Sequence, residues 1–158
     1  MRIALVAALL LAVGCVSAYD ETYAKETEML EQQEQARQAE QAAAHAEARK
    51  YAAVAYFDVN SAVIRDEGFG ELDWFVKQMQ PYPEAHFEVQ GFADISGSES
   101  TNRELSQERA ANVARYLASE GMTPSHIHVI GLSTDFPAES NESAKGRSRN
   151  RRVEVTVR

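Results

Sequence analysis

Two oppositely charged residues, joined by a short polar segment, are the strongest candidates for chemistry in this sequence. Asp94 closes the run that begins at Gly91, and Arg109 follows a segment rich in Ser and Gly. Such a segment favours a loop, which can bring the two side chains close together. A carboxylate and a guanidinium at close range form either a structural salt bridge or the two poles of a binding site for a charged ligand.

The pattern around Arg109 favours the binding site over the salt bridge. A motif of regularly spaced residues runs from Asn102 to Val113. Residues three and four apart share one face of a helix, so Asn102, Ser106 and Arg109 are predicted to form one polar stripe. Leu105 and Val113 are predicted to turn toward a sheet.

Strands and helices must alternate to position these residues. The hydrophobic patterns predict strands near 54–57, 85–91, 126–130 and 152–157, and helices over 71–80, 101–121 and near 142–148. Thr101 and Glu104 are interpreted as a capping box that opens the second of these helices. We therefore predict an α/β fold, an α+β sandwich of order β-α-β-α-β-(α)-β with helices on one face of the sheet.

The first residues are typical of an export signal. A short basic start precedes the apolar run 3–13, which is too short to span a bilayer because a membrane helix needs about 20 apolar residues. The residues up to Cys15 resemble a lipoprotein cleavage box, with Ala12 where Leu is usual, and Cys15 is the only cysteine. We expect a lipoprotein signal peptide over 1–14 and a lipid on Cys15, with a cut after Ala18 as the alternative.

A long polar helix is predicted from about 20 to 55, where the sequence is rich in Ala, Glu and Gln and lacks Gly and Pro. Its heptad spacing is interrupted at Arg37 and its second seam is mostly polar. A solvated single helix is therefore favoured over weak self-association. The predicted division of the chain is a helical spacer over 15–50 and a globular domain over 51–158.

Composition and charge narrow the classes of function. The sequence is 44% hydrophobic and 25% charged, which is typical of a globular protein. A net charge of −8 makes it a poor ligand for nucleic acid. It carries no recognisable nucleophile motif, and His126 and His128 alone are too few to make a zinc site. We expect neither an enzyme nor a bound metal or cofactor.

Four segments together resemble the family of OmpA C-terminal domains, which includes the peptidoglycan-associated lipoproteins. These segments are the runs 56–58, 91–94, 102–113 and 146–153, and the resemblance extends from about residue 53 to the end of the chain. Phe92 and Ala93 stand where the family usually has His-Thr. The run Gly131-Leu-Ser133 stands where the family usually has Gly-aromatic-Gly.

The resemblance implies binding of peptidoglycan without catalysis. In the family, residues at the positions of Asp94 and Arg109 hold diaminopimelate of the peptidoglycan stem peptide, and Asn102 would add a polar contact. The free end of diaminopimelate carries an ammonium and a carboxylate on one carbon. An aspartate and an arginine can bind such a group in one orientation. The resemblance places further residues at the same pocket: Phe57, Asp58 and one of Arg151 and Arg152.

The resemblance and the export signal together imply a tether between the outer membrane and the cell wall. Peptidoglycan and the outer membrane are the expected partners, and Tol-system or other envelope proteins are further candidates. The expected location is the periplasmic face of the outer membrane, with Val16 after Cys15 resembling outer-membrane sorting. Two alternatives stay open: a soluble periplasmic wall-binding protein, and an envelope assembly protein that acts through its long helix. A flagellar-stator type would need a membrane-spanning helix.

The lipid on Cys15 can be tested by metabolic labelling with a palmitate analogue. We expect the parent protein to take up the label and the Cys15→Ser variant to lose it, because Cys15 is the only cysteine that could carry the lipid. Equal labelling of both proteins, or no labelling of the parent, would contradict the lipoprotein assignment.

Overall fold

A computed structural model gives the fold of the chain. It describes the backbone from Arg2 to Arg158 and the side chains from Thr22 onward. The predicted signal peptide over 1–14 and the lipid on Cys15 concern side chains outside these described residues. Among the residues that are described, none of the helices is both long enough and apolar enough to cross a membrane.

Helix α1 spans Arg2–Ala48, and the chain divides into two compact units over 1–43 and 44–158. The side chains from 22 to 44 are exposed, as the polar composition predicts. The helix ends at Ala48, earlier than the predicted residue 55, because residues Ala52–Tyr56 pair with another strand of the second unit. The roles of the predicted spacer and domain stay predictions.

A four-stranded mixed sheet of order β1-β4-β2-β3 forms the centre of the second unit. Strand β4 is antiparallel to both β1 and β2, whereas β2 and β3 are parallel. The strands are β1 Ala52–Tyr56, β2 Phe87–Gly91, β3 Ile127–Gly131 and β4 Arg152–Val157. This architecture confirms the predicted α/β fold, and β4 has the predicted bounds.

Three further α-helices follow: α2 Asp66–Met79, α3 Glu99–Ser119 and α4 Ala144–Asn150. Helix α2 packs on β1, and α3 packs across β2, β3 and β4. The capping-box prediction for α3 was wrong. The N-cap is Ser98, whose side chain accepts a hydrogen bond from the Thr101 backbone N–H. Helix α3 therefore begins at Glu99, before the predicted Thr101, and Thr101 lies in its first turn.

The core lies between the helices and one face of the sheet. Burial alternates along β1, β2 and β4, so one face of each strand is covered by the helices. Burying each large apolar side chain there contributes roughly 1.5–3 kcal/mol. The largest apolar members are fully buried: Phe57, Leu72, Phe75, Val89, Val113, Leu117, Val153 and Val155.

Two glycines that pair in register let α3 lie directly on the sheet. Gly91 of β2 and Gly131 of β3 are partners in the parallel ladder. A Cβ on Gly91 would overlap the Ser106 carbonyl oxygen, and a Cβ on Gly131 would lie 2.6 Å from the Gln107 nitrogen. The close approach holds the middle of α3 against the ends of these strands, where Asp94 follows β2.

Candidate functional site

A small cavity at the end of the sheet where β2 finishes brings together residues that were predicted to form the site. Asp94 lies in the loop after β2, Arg109 lies in the middle of α3, and Arg151 lies between α4 and β4. These three side chains and Asn102 line a cavity of about 60 Å³. Asp94 is 4% exposed and Arg109 is 1% exposed, so both charges are almost completely removed from bulk water.

Asp94 pairs with Arg151 rather than with Arg109. The Arg151 Nη1 donates to Asp94 Oδ2 at 2.7 Å, and the Ser96 backbone N–H donates to Asp94 Oδ1 at 2.7 Å. Burial by itself raises the pKa of the Asp94 carboxyl, but the hydrogen bonds from Arg151 and Ser96 outweigh it and hold the pKa below its ordinary value. Asp94 is therefore a carboxylate at neutral pH.

Arg109 is held by backbone carbonyls from three positions. Its Nε donates to Ser61 O at 2.8 Å, its Nη1 to Phe92 O at 3.0 Å, and its Nη2 to Asp58 O at 3.0 Å. A guanidinium has five N–H groups, so two remain for a ligand. Burial lowers the pKa of Arg109 to about 10, with the Arg151 cation acting in the same direction and Asp94 opposing it. Arg109 is still a cation at neutral pH.

Asn102 supplies a polar group without a protein partner. Its side chain is 3% exposed and lines the cavity. Its side-chain amide makes no hydrogen bond to any of the residues that the structure describes. The amide faces the open space of the cavity, where it can donate and accept hydrogen bonds to a ligand.

Two of the remaining predicted site residues lie outside the lining of the cavity. Phe57 and Asp58 do not line the cavity. Both residues contact the arginines that line the cavity. The Phe57 carbonyl accepts a hydrogen bond from Arg151 Nε at 3.1 Å, and the centroid of the Phe57 ring lies 5.3 Å from the Arg109 guanidinium carbon. The exposed Asp58 carboxylate pairs with Arg65 at 3.3 Å, and only its carbonyl reaches Arg109.

Arg151 and Arg152, which the sequence left as alternatives, occupy different places. Arg152 does not line the cavity. Its guanidinium carbon lies 3.9 Å from the centroid of the Phe92 ring, and its nitrogens donate to the Glu154 carboxylate and the Phe136 carbonyl. The geometry therefore puts Arg151, and not Arg152, beside Asp94.

The predicted polar stripe of α3 lies on the buried face of the helix together with Val113, whereas the prediction that Leu105 turns toward the sheet was wrong. Asn102, Ser106, Arg109 and Val113 are all buried, whereas Leu105 is half-buried and lines the cavity. The stripe lies inward because the glycines of β2 and β3 leave room for the α3 backbone. Sequence reasoning also missed residues of the cavity wall: Val59, Asn60, Ser96, Gly97 and Leu105.

The histidines do not form a metal cluster in the part of the chain that is described. The rings of His86 and His126 stack with centroids 4.4 Å apart. No group of three or more His, Cys, Asp or Glu side chains among the described residues could hold a metal ion.

The sequence model of the OmpA family matches residues 56–151 of this chain. The chain belongs to the OmpA family. This confirms the resemblance drawn from the four sequence segments. All of the cavity-lining charged residues and the α3 motif lie within the matched range.

Two individual proteins are similar in sequence to this OmpA-family chain. The probable lipoprotein YiaD of Escherichia coli K12 is 37% identical over 101 residues, which cover 64% of this chain and 46% of YiaD. The peptidoglycan-binding protein ArfA of Mycobacterium tuberculosis H37Rv is 40% identical over 86 residues, which cover 54% of this chain and 26% of ArfA. The chain spans less than half the length of each of these two relatives.

Two solved structures share the fold. The peptidoglycan-associated lipoprotein of Burkholderia pseudomallei superposes with a TM-score of 0.64 at 24% identity, covering 67% of this chain and 90% of that one. The cell wall anchor of the T6SS from Pseudomonas aeruginosa superposes with a TM-score of 0.56 at 33% identity, covering 65% of this chain and 73% of that one.

The ion pair of Asp94 predicts a pH dependence of stability. The pKa of the folded carboxyl lies below its ordinary value of 3.8, so its stabilising effect is complete above that value and is lost as the pH falls through the lower folded pKa. We expect urea denaturation to give free energies of unfolding for the parent and Asp94→Asn that differ by a constant amount around neutral pH. This difference should shrink progressively below about pH 4. A difference that stays constant down to about pH 2 would contradict this.

Proposed function

We propose that the domain over 51–158 binds the stem peptide of peptidoglycan without covalent chemistry, holding the free end of diaminopimelate at Asp94, Arg109 and Arg151. The charge of the cavity is the observation that carries this proposal. One carboxylate faces two guanidiniums, so the site has an excess of one positive charge. Asp94 is already paired with Arg151, and Arg109 has no carboxylate partner among the described residues, so a ligand carboxylate has a place beside Arg109.

Each pole of the ligand has a partner in the cavity. The ligand carboxylate would take the two N–H groups of Arg109 that the backbone carbonyls leave unused. The ligand ammonium would donate to the Asp94 carboxylate and to the Asn102 amide oxygen. No bond is broken in this arrangement, so it requires no nucleophile, general base or metal.

The named roles of related proteins support this ligand. ArfA of Mycobacterium tuberculosis is named a peptidoglycan-binding protein, and the Pseudomonas aeruginosa structure is a cell wall anchor. Both contain a domain of the kind described above. Diaminopimelate fits the charges of the cavity, because its free end carries a carboxylate for Arg109 and an ammonium for Asp94.

The N-terminal part of the chain supports a tethering role. We propose that a lipid on Cys15 holds the protein in the outer membrane, with a soluble periplasmic form as the alternative. The probable lipoprotein YiaD and the outer membrane porin F of Pseudomonas fluorescens are among the relatives. Residues 22–48 of α1 would span about 40 Å at roughly 1.5 Å per residue, which is long enough to act as a spacer. Tol-system or other envelope proteins stay predicted partners.

Binding to the cell wall can be tested with two arginines of the same helix. Arg109→Gln should abolish co-sedimentation with purified peptidoglycan of the diaminopimelate type, because it removes the cation that bonds the ligand carboxylate. Arg115→Gln makes the same charge change at an exposed position of α3 and should bind like the parent.

Arg109→Gln must also be shown to fold. We expect its free energy of unfolding to fall by about 2–3 kcal/mol, because buried carbonyls lose their donors, so Asp94→Asn serves as a second binding variant. If folded Arg109→Gln and folded Asp94→Asn both co-sediment like the parent, the cavity is not the wall-binding site.

A further inference from the structure

A second pocket, of about 250 Å³, lies at the opposite end of strand β2 from the charged cavity. Phe87, the first residue of β2, lines this far pocket, whereas Asp94 of the cavity follows the last residue of β2. Helices α2 and α3 both end beside the far pocket, where Met79 and Glu120 are lining residues. The far pocket and the cavity share no lining residue, so a molecule bound in one leaves the other open.

The walls of the far pocket are mostly apolar. Met79, Phe87 and Met122 are buried in its wall, and Val76 is half-buried there. Methionine side chains adapt to the shape of a partner. The volume corresponds to about eight water molecules at roughly 30 Å³ each, which is room for one long side chain and not for a larger element. The far pocket can therefore take a single side chain with an aliphatic stem.

The charges around the far pocket favour a cation. Glu120 lines it, is exposed, and forms no salt bridge with any other residue that the structure describes. Helix α3 ends at this point without a basic residue in its last turn, so the negative end of its dipole adds to the charge of Glu120. His126 also lines the far pocket, and its buried Nδ1 has no hydrogen-bond partner among the described residues. A ligand with N–H groups can satisfy such an atom, whereas an apolar ligand cannot.

Aromatic side chains at the rim favour a protein as the source of this cation. The Tyr82 ring lines the far pocket, and aromatic faces attract cations, most often arginine. Tyr51 lies between Tyr82 and Trp74, with ring centroids 6.5 Å and 5.9 Å from its own. Trp74 is 45% exposed. Exposed tryptophan and tyrosine side chains are enriched at protein–protein interfaces.

We infer that the far pocket is a docking site for a second protein, which inserts an arginine side chain into it. The stem of this arginine packs on Met79 and Met122, and its guanidinium pairs with the Glu120 carboxylate beside the Tyr82 ring. Arginine fits better than lysine, because a planar guanidinium can stack on a ring and bond a carboxylate with two parallel hydrogen bonds. The net charge of −8 favours the approach of a basic partner. The inference is independent of the proposed function.

NMR titration of the full chain with two capped pentapeptides tests the inference. Both consist of Gly and Ala around a central residue, which is arginine in one and citrulline, its uncharged counterpart, in the other. The arginine peptide should shift the backbone amide signals of Met122 and Thr123 and bind about tenfold more tightly than the citrulline peptide, because a charge-assisted pair is lost. Equal affinity for the two peptides, or an arginine peptide that leaves these signals unmoved, overturns the inference.

The role of the carboxylate is tested with two glutamates of the same region. Glu120→Gln should weaken binding of the arginine peptide about tenfold and leave binding of the citrulline peptide unchanged. Glu108→Gln makes the same charge change at an exposed position of α3 that does not line the far pocket, and should bind like the parent. If Glu120→Gln and Glu108→Gln bind the arginine peptide alike, the cation does not pair with Glu120 and the inference is overturned.

The place of binding is tested by filling the far pocket. Thr123 and Ser125 are both exposed, but only Thr123 lines the far pocket. Thr123→Trp should abolish binding of the arginine peptide, and Ser125→Trp should keep it. If the two variants bind alike, the peptide lies outside the far pocket and the inference is overturned. Should Thr123→Trp fail to fold, Pro83→Trp fills the same space from another exposed position and decides the question in the same way.

Discussion

The buried guanidinium of Arg109 is the interaction on which the arrangement of the site depends. It joins helix α3 to backbone carbonyls before α2 and after β2, at Ser61, Asp58 and Phe92. Three separate segments therefore share one cation. The cation lies at the sheet because Gly91 and Gly131 allow the α3 backbone to approach the strands directly. A side chain at either glycine would move α3, and Arg109 would lose its carbonyl partners.

A buried cation of this kind needs a compensating anion, and the one carboxylate that lines the cavity is shared between two arginines. Asp94 is the one carboxylate among the charged residues that line the cavity, and Arg151 already forms an ion pair with it at 2.7 Å. Burial and the neighbouring Arg151 cation together lower the pKa of Arg109 to about 10, against the opposing effect of Asp94. The same features that make Arg109 costly to bury make the cavity selective for a ligand carboxylate.

Much of this could be predicted from the sequence, because the signals are local. The alternation of β4 over Arg152–Val157 follows from spacing alone, and the grouping of Asp94 with Arg109 follows from the α3 motif and the family resemblance. Three features could not be predicted, because they depend on contacts distant in sequence. The pairing of Asp94 with Arg151 is set by where the chain returns to the sheet, and the inward direction of Asn102, Ser106 and Arg109 is set by the paired glycines. Phe57 and Asp58 support the cavity mainly through their backbone carbonyls, whose positions depend little on side-chain type.

The measurement that tests the central claim most directly compares two ligands that differ by one carboxylate. Isothermal titration of the domain should be made with a stem peptide containing diaminopimelate and with the same peptide containing lysine. Lysine keeps the ammonium and lacks the carboxylate. The excess positive charge of the cavity predicts binding of the diaminopimelate peptide and binding of the lysine peptide weaker by about a hundredfold or more, since a charge-assisted pair of hydrogen bonds is lost. Equal affinity for the two peptides would contradict the account.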